Sequence, residues 1–367
     1  MYIPKYTITT AVLKDIGGVE AAREVIENAP LVPAWEAKFQ DEAKLRAAHY
    51  GTVLEGNDLT LNEAKIIVEG EMDTAKQAAD AGVVARERDI QEVINYRRVL
   101  DYIESLSGNA SAESFTYTTD LLLNIHKLVV DKLISNEHAG TYRVSQVVLR
   151  NSVTGEIGFR PPQALEVPFL LDEFFRWLNG DFGRREHPVI RAAITHYVLA
   201  AVHPFIEGNG RTARAFATLV LFVEGYDIKR FFALEEYFDK NAEDYFGSLM
   251  QVSNQAPKLE DRDLTPWVET FTKALSVELA RIKEKVRHLS VDIKIKERQG
   301  KQVALSERQM KIMEYLNSNG EMTMAQARSV LPMVSEDTIL REFKYLIEKD
   351  VVAKKGSTKA ARYVLNK

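Results

Sequence analysis

The sequence contains no cysteine. That absence removes disulfide scaffolds, thiolate nucleophiles, Cys-ligated zinc and iron–sulfur clusters, and it fits a cytoplasmic protein. No run of about 18 apolar residues occurs, so no helix is expected to span a membrane. The opening segment MYIPKYTITTAVLKDIGG has no basic head followed by an apolar run and a small-residue cleavage site, so no signal peptide is read. Internal repeats and low-complexity tracts are missing. So is any G-x-x-x-x-G-K-[ST] loop, which excludes a P-loop enzyme. An excess of either charge is also lacking. The 53 acidic and 48 basic residues leave a net of −5, which speaks against binding nucleic acid over the whole surface.

What is present reads as a folded chain. Of 367 residues, 46% are hydrophobic and 28% charged, a length and balance that suit two or three domains. Helical spacing runs through Trp35, Phe39 and Ala43, and again near 85–105 through Ile90, Val93, Ile94, Val99, Leu100 and Ile103. Thr60 and Glu63 form an expected capping box. Residues 118–135 read as one helix. The period then shifts: residues 144–149, turn chemistry at Asn151–Gly155 and an extended run at Glu156–Phe159 predict a β-hairpin. Pro161 and Pro162 end it, because proline lacks the ladder donor. Helices are expected at 165–179, 188–202, 211–224, 239–253 and 265–290, and KIKERQGKQ reads as a linker. From about 303, Ser306 with Gln309, Thr323 with Gln326, and Ser335 each open a short helix. Two β-prone pieces follow, Val351–Ala353 and Ala361–Leu365. Three helices and a two-stranded wing are the order of a winged helix-turn-helix.

The chemistry concentrates in His203-Pro-Phe-Ile-Glu-Gly-Asn-Gly-Arg-Thr-Ala-Arg214. Gly208, Asn209 and Gly210 carry little bulk, so their N–H groups can approach an anion. The helical spacing that follows puts this loop at a helix N-terminus, where unpaired N–H groups and the dipole both favour negative charge. Arg211 and Arg214 share one face of that helix and suit a polyphosphate. Glu207 supplies a hard oxygen of the kind Mg²⁺ takes alongside phosphates. His203 can accept a proton near neutral pH. His196 reads as a packed or hydrogen-bonded core histidine, and His49, His126, His138, His187 and His288 receive no role. The G-x-G-x-x-A pattern at Gly208 lacks the preceding strand that a dinucleotide fingerprint needs.

The segment resembles the Fic motif, H-x-F-x-[DE]-G-N-G-R-x-x-R, at every specified position. The resemblance extends over about residues 35–275 and includes Gly140-Thr-Tyr142-Arg143 and a flap hairpin at about 147–160. It implies a mainly α fold with that hairpin as a flap, and transfer of AMP from ATP to a Ser, Thr or Tyr hydroxyl of a target protein. It further implies His203 as general base, Phe205 as core anchor and Glu207 as Mg²⁺ ligand. Gly208, Asn209, Gly210 and Arg211 would form the anion hole, and Arg214 would hold the γ-phosphate. Tyr245 and Phe246 would line the nucleotide pocket. Val147, Val148 and Leu149 would pair with the target backbone as an added strand.

Gly51-Thr-Val-Leu-Glu55-Gly-Asn57 resembles the family's inhibitory motif, [ST]-x-x-x-E-[GN]. Gly51 stands where a hydroxyl is expected, and Thr52, one residue later, is the candidate substitute. Glu55 would pair with Arg214 in place of the γ-phosphate. In some relatives this glutamate also aligns water to remove AMP, and UMP, GMP, phosphocholine and phosphate transfers occur within the family. Dimerisation is common there too.

The expected division is an N-terminal helical region at 1–110 carrying the inhibitory segment, a catalytic core at 111–290 and a winged helix at 301–367. The last has 12 Lys/Arg against 8 Asp/Glu, a net of +4 that leaves −9 for the rest. DNA contact through Arg341, Lys344, Lys354, Lys355, Lys359 and Arg362 is one expectation for it, and a packing module is the other. The competing function is a transcriptional regulator whose nucleotide site only senses.

Overall fold

In the structure, a computed structural model that describes residues 2–29, 31, 33–108, 113–150, 157–297, 306–349, 351–356 and 361–366, the apolar stripes become helices. In chain order the elements are α1 (Thr10–Glu27), α2 (Pro33–Val53), α3 (Leu61–Glu69), α4 (Ala75–Asp80), α5 (Glu87–Ser107), α6 (Thr119–Val129), β1 (Leu149–Arg150), β2 (Ile157–Phe159), α7 (Val167–Asn179), α8 (Asp181–Arg185), α9 (Pro188–Val202), α10 (Asn209–Val223), α11 (Leu234–Lys240), α12 (Ala242–Ser253), α13 (Thr265–Glu297), α14 (Glu307–Asn319), β3 (Glu321–Thr323), α15 (Met324–Val330), α16 (Glu336–Glu348), β4 (Val352–Lys355) and β5 (Arg362–Leu365). The fold class is mainly α, as the sequence implies. Two compact units divide the chain: Met1–Glu24 with Phe39–Ala280, and Val25–Lys38 with Arg281–Lys367. No helix among the described residues is long and apolar enough to cross a membrane.

The first unit is built around α9. Its sequence, PVIRAAITHYVLAAV, is apolar on nearly every side, so it is stable only when surrounded. Every residue from Val189 to Val202 except Ala200 is buried. Helix α10 packs along it, and α5 and α6 pack against α10. Trp267 of α13 donates its indole N–H to the Ala193 carbonyl at 2.7 Å. Helix α1 has no counterpart in the sequence reading, because Gly17 and Gly18 weaken its helical pattern. Packing explains Gly18: a Cβ there would lie 2.7 Å from Ser276 Oγ.

Several boundaries differ from the expectation. Helix α6 stops at Val129 rather than near 135, since Asn95 Nδ2 takes the carbonyls of Val129 (3.2 Å) and Asp131 (2.7 Å). The chain then turns, with Lys132 at φ 60°. In the hairpin, pairing among the described residues is limited to Leu149 with Phe159 and Arg150 with Ile157. Residues 144–148 are not strand, because the opposing Pro161 and Pro162 offer no N–H. The Gln146 side chain bonds the Pro161 carbonyl at 3.0 Å instead. The expected turn at 151–155 lies outside the described residues. The helix expected at 239–253 begins only at Ala242; its first residues belong to α11, which ends at Lys240. Helix α13 continues through Lys294–Glu297, read as linker, since no Gly or Pro interrupts it.

In the second unit the capping boxes at Ser306 and Thr323 are present, and the Ser335 hydroxyl accepts from Thr338 N. A third strand, β3, was not read from the sequence; the sheet order is β3-β5-β4, all antiparallel. Ile312, Leu316, Met322, Ile339, Phe343, Leu346 and Val352 form its core. Phe343 stacks on Tyr363 with ring centroids 3.6 Å apart. Replacing this fully buried ring, Phe343→Ala, is expected to make opening of α16 easier by about 3–5 kcal/mol. Amide hydrogen exchange along that helix measures it; unchanged protection would contradict the packing described.

Candidate active site

Helix α9 ends at His203, which takes a left-handed conformation with φ 51° and ψ 60°. Pro204 follows and cannot continue the helix. The loop to α10 closes on itself: Phe205 N donates to Asn209 Oδ1, and Asn209 Nδ2 donates to the Phe205 carbonyl, both at 2.9 Å. The Asn209 side chain is therefore spent on the loop, and only its backbone N–H faces the anion site. Gly208, at φ 73°, caps α10. A Cβ there would also lie 2.7 Å from Val130 Cγ1. The first helical bond of α10 runs from Thr212 N to the Gly208 carbonyl at 3.0 Å, so the N–H groups of Asn209, Gly210 and Arg211 precede the helical ladder.

The carboxylate of Glu55 lies over this helix end. Its Oε1 is 2.7 Å from Arg214 Nη2 and its Oε2 is 2.9 Å from Arg211 Nε. The arginine side chains are only 2% and 3% exposed, while Glu55 keeps 26%. Gly210 permits the approach, since a Cβ there would come 2.3 Å from Glu55 Oε1. Burial alone would raise the Glu55 carboxyl, but Arg214 and then Arg211 override it and hold the group below the ordinary carboxylate range. Burial opposes the charge of Arg214, yet Glu55 pushes that guanidinium above its usual value. Arg214 Nη2 also donates to the Gly51 carbonyl at 2.7 Å. Two donors, Arg211 Nη1 and Arg214 Nε, are buried without a hydrogen-bond partner among the described residues. Arg211 Nη1 has only a long ion pair to Glu92 at 3.4 Å, and such under-used donors beside a free helix N-terminus favour a larger anion than one carboxylate.

The segment around Glu55 explains the departure at position 51. A Cβ on Gly51 would meet the Tyr96 ring at 2.8 Å, so a serine or threonine there would clash. Thr52 does not substitute. Its hydroxyl is buried and turns back to the His49 carbonyl at 2.8 Å. Gly56 takes φ 94°, and Asn57 Nδ2 anchors the turn to Glu92 at 2.9 Å and to the Asp89 carbonyl at 3.0 Å.

His203 Nδ1 faces the Ala200 carbonyl at 3.2 Å. That partner fixes the proton on Nδ1 and leaves the Nε2 lone pair free. Burial lowers its pKa to about 4, with Arg143 assisting and the Ala200 carbonyl and Glu55 opposing. Glu207 is half-buried, paired with Arg88 and 3.6 Å from Arg211 Nη2. Tyr245 is buried, its hydroxyl 3.4 Å from Arg214 Nη1 and 3.1 Å from His196 Nε2. Phe246 beside it is 47% exposed. His196 is fully buried and stacks on Trp267, as a core histidine should. Val147 and Val148 are half-buried at the foot of the hairpin, and Leu149 opens β1.

Four residues of the site received no role from the sequence: His126, Arg88, Tyr96, and Arg143, which was noted only as part of Gly140-Thr-Tyr142-Arg143. His126, given no role, is a correction: its ring lies flat on Phe205, centroids 3.6 Å apart, while Nδ1 accepts from Gly140 N at 2.9 Å. Nε2 must then carry the proton, which it donates to the Glu207 carbonyl at 3.0 Å. His126 thus braces the loop from below. Tyr96 acts against Gly51 and is held by Glu235. Arg88 is one charge among several at the start of α5 and has no distinguishing signal, and the four carbonyl partners of Arg143 converge only in three dimensions.

These twelve residues and their surroundings match known proteins. The Fic/DOC family model matches residues 116–221. The chain carries a Fic domain. Over 190 residues, 52% of the chain, it is 30% identical to a protein adenylyltransferase Fic of Drosophila yakuba and 31% identical to that of Drosophila melanogaster. It spans about a third, 34%, of the length of each of these relatives. A Fic family protein from Desulfovibrio desulfuricans G20 matches with TM-score 0.62 and 23% identity over 99% of this chain and 98% of that one. Residues 134–508 of Fic-1 from C. elegans match with TM-score 0.55 and 22% identity over 77% and 74%. These structural likenesses show the Fic fold.

The His126 brace carries a pH signature. Burial pushes its pKa from 6.5 to about 4, against the pull of the Glu207 carbonyl. As pH falls the unfolded chain takes up the proton first. The stability contributed by neutral His126 is complete above about pH 6.5 and is lost progressively down to about pH 4. A His126→Gln variant, which does not titrate, is expected to lose less stability between about pH 7 and about pH 4.5 in urea denaturation. Identical acid limbs would contradict the assignment.

Proposed function

We propose that this chain is a protein adenylyltransferase restrained by its own Glu55, transferring AMP from ATP to a Ser, Thr or Tyr hydroxyl of a target protein. The observation that carries the reading is the Glu55 carboxylate resting on Arg214 and Arg211 over the free N–H groups of α10. An acidic side chain in an anion site competes with a phosphate for the same donors. The relatives named protein adenylyltransferase Fic support the reaction class.

With Glu55 displaced, Arg214 and Arg211 would take the γ- and β-phosphates, and Gly208, Asn209 and Gly210 would give the backbone of the anion hole. Glu207 offers one hard oxygen, and no group of three or more His, Asp or Glu side chains suited to a metal stands together among the described residues. That donor set fits Mg²⁺ carried in on the phosphates of ATP rather than a resident ion. Magnesium there would neutralise phosphate charge. Arg88 must release Glu207 before the carboxylate can take this part. Neutral His203 accepts the target's hydroxyl proton on Nε2 as the oxygen attacks the α-phosphorus. The bond to the α,β-bridging oxygen breaks, and pyrophosphate leaves with the electron pair. Tyr245 would support Arg214 from behind, and Phe246, exposed beside it, would meet the nucleotide. The strand leg at Val147, Val148 and Leu149 would pair with the target backbone.

The second unit is read as a winged helix because α14, α15 and α16 precede the antiparallel β4 and β5. Its charges divide on a DNA role: α16 opens with Glu336 and Asp337 and Arg362 is paired with Glu321, while Arg341, Lys354 and Lys355 are exposed.

Incubation with α-labelled ATP and Mg²⁺ tests the proposal. Glu55→Gly is expected to raise self-labelling at least about tenfold, the equivalent of 1.36 kcal/mol in barrier. His203→Ala in the same background is expected to abolish it. Equal labelling of wild type and Glu55→Gly would defeat the restraint, and undiminished labelling in His203→Ala would defeat the base.

A further inference from the structure

Arg143 lies between the hairpin and His203 and is 3% exposed. Among the described residues no carboxylate pairs with it. Its partners are backbone carbonyls. Nη1 donates to Ser145 at 3.1 Å and Nη2 to Pro162 at 2.6 Å, the two feet of the hairpin. Nε donates to the His203 carbonyl at 2.8 Å, and Nη2 also approaches that of Val202 at 3.4 Å, at the end of α9. The Arg143 backbone N–H adds the Pro204 carbonyl at 2.8 Å.

A buried cation without a counter-ion is costly, and only well-aimed dipoles offset that cost. A lysine could neutralise nothing more here and could not span both sets of carbonyls. The planar guanidinium can, because its five N–H groups leave it in fixed directions. His203 needs such a clamp. A non-glycine residue at φ 51° is held in a sparsely populated conformation and persists only where its surroundings enforce it.

We propose that Arg143 is a positioning residue that ties the feet of the hairpin to the backbone of His203, so that a target strand docked on the hairpin arrives in register with the His203 ring. This rests on the reading of His203 as the base and the hairpin as the docking strand. The nucleotide's own contacts, Arg211, Arg214 and the α10 N–H groups, lie on other elements and need no help from Arg143.

The test uses the intact chain in the Glu55→Gly background, with Arg143→Gln and Arg143→Lys. Three quantities are read: affinity for a fluorescent ATP analogue with Mg²⁺, the self-labelling rate at saturating ATP, and the ¹⁵N imidazole NMR spectrum of His203. Both variants are expected to bind the analogue within about twofold of the parent. Labelling is expected to fall about 100-fold, the loss typical of a displacement of about 1 Å. The His203 spectrum should change from a single Nδ1–H tautomer to a mixture. If Arg143→Gln does not fold, Arg143→Lys, which keeps the charge but not the fork, decides alone. An unchanged tautomer with an unchanged labelling rate overturns the proposal. So does a parallel loss of nucleotide binding, which would make Arg143 a general support of the site. If the parent itself transfers no AMP, the adenylyltransferase reading fails, while the His203 spectrum still decides the part played by Arg143.

Discussion

Two guanidiniums, those of Arg211 and Arg214, stand side by side out of water at the positive end of α10, bridged by the carboxylate of Glu55, while Glu92 and Glu207 approach Arg211 at 3.4 and 3.6 Å. Without an anion these charges repel one another and leave donors unsatisfied. Removing one partner of such a buried pair costs about 3–5 kcal/mol, at the lower end here because Glu55 keeps 26% exposure. The site therefore favours an anion between the two guanidiniums, and on the proposed function Glu55 and a phosphate would compete for that place.

Much of the neighbouring sequence follows from that constraint. Gly210 leaves room for the carboxylate, Gly56 lets the chain turn after it, and Asn57 pins the turn to α5 through Glu92. The Gly51 carbonyl accepts from Arg214, and Tyr96 fills the space a side chain at position 51 would need. Tyr96 is itself fixed by its hydroxyl bond to buried Glu235 at 2.8 Å. On the other side, His126, Asn209 and Phe205 make the loop rigid without touching the anion position. Glu207 is likewise neutralised within the chain, by Arg88.

Helices were legible where one apolar face repeats, as in α5, where the run is apolar on nearly every side, as in α9, and where caps are spelled out, as at Thr60 in the first unit and Ser306 in the second. Boundaries were lost where distant side chains act on the backbone: Asn95 ends α6, and Pro161 with Gln146 shortens the hairpin. Helix α1 was hidden by two glycines, of which Gly18 closely approaches Ser276 and Gly17 meets nothing within 4 Å. The site was readable in its linear part, His203 to Arg214, because loop, helix and arginines are contiguous. Glu55 was found through its motif. His126, Arg88 and Tyr96 were not, and Arg143 was noted only as part of a motif stretch without a role, since each acts across the fold on a backbone group, a side chain or a charge that sequence spacing does not reveal.

The most direct test is a pair of crystal structures, wild type and Glu55→Gly, each with Mg²⁺ and a non-hydrolysable ATP analogue. The account predicts that in Glu55→Gly the γ-phosphate lies within hydrogen-bond distance of the Arg214 guanidinium. In wild type Arg214 should still be paired with Glu55, and the γ-phosphate should lie elsewhere. A γ-phosphate seated on Arg214 in wild type, with Glu55 unmoved beside it, would contradict the claim that the two anions exclude one another.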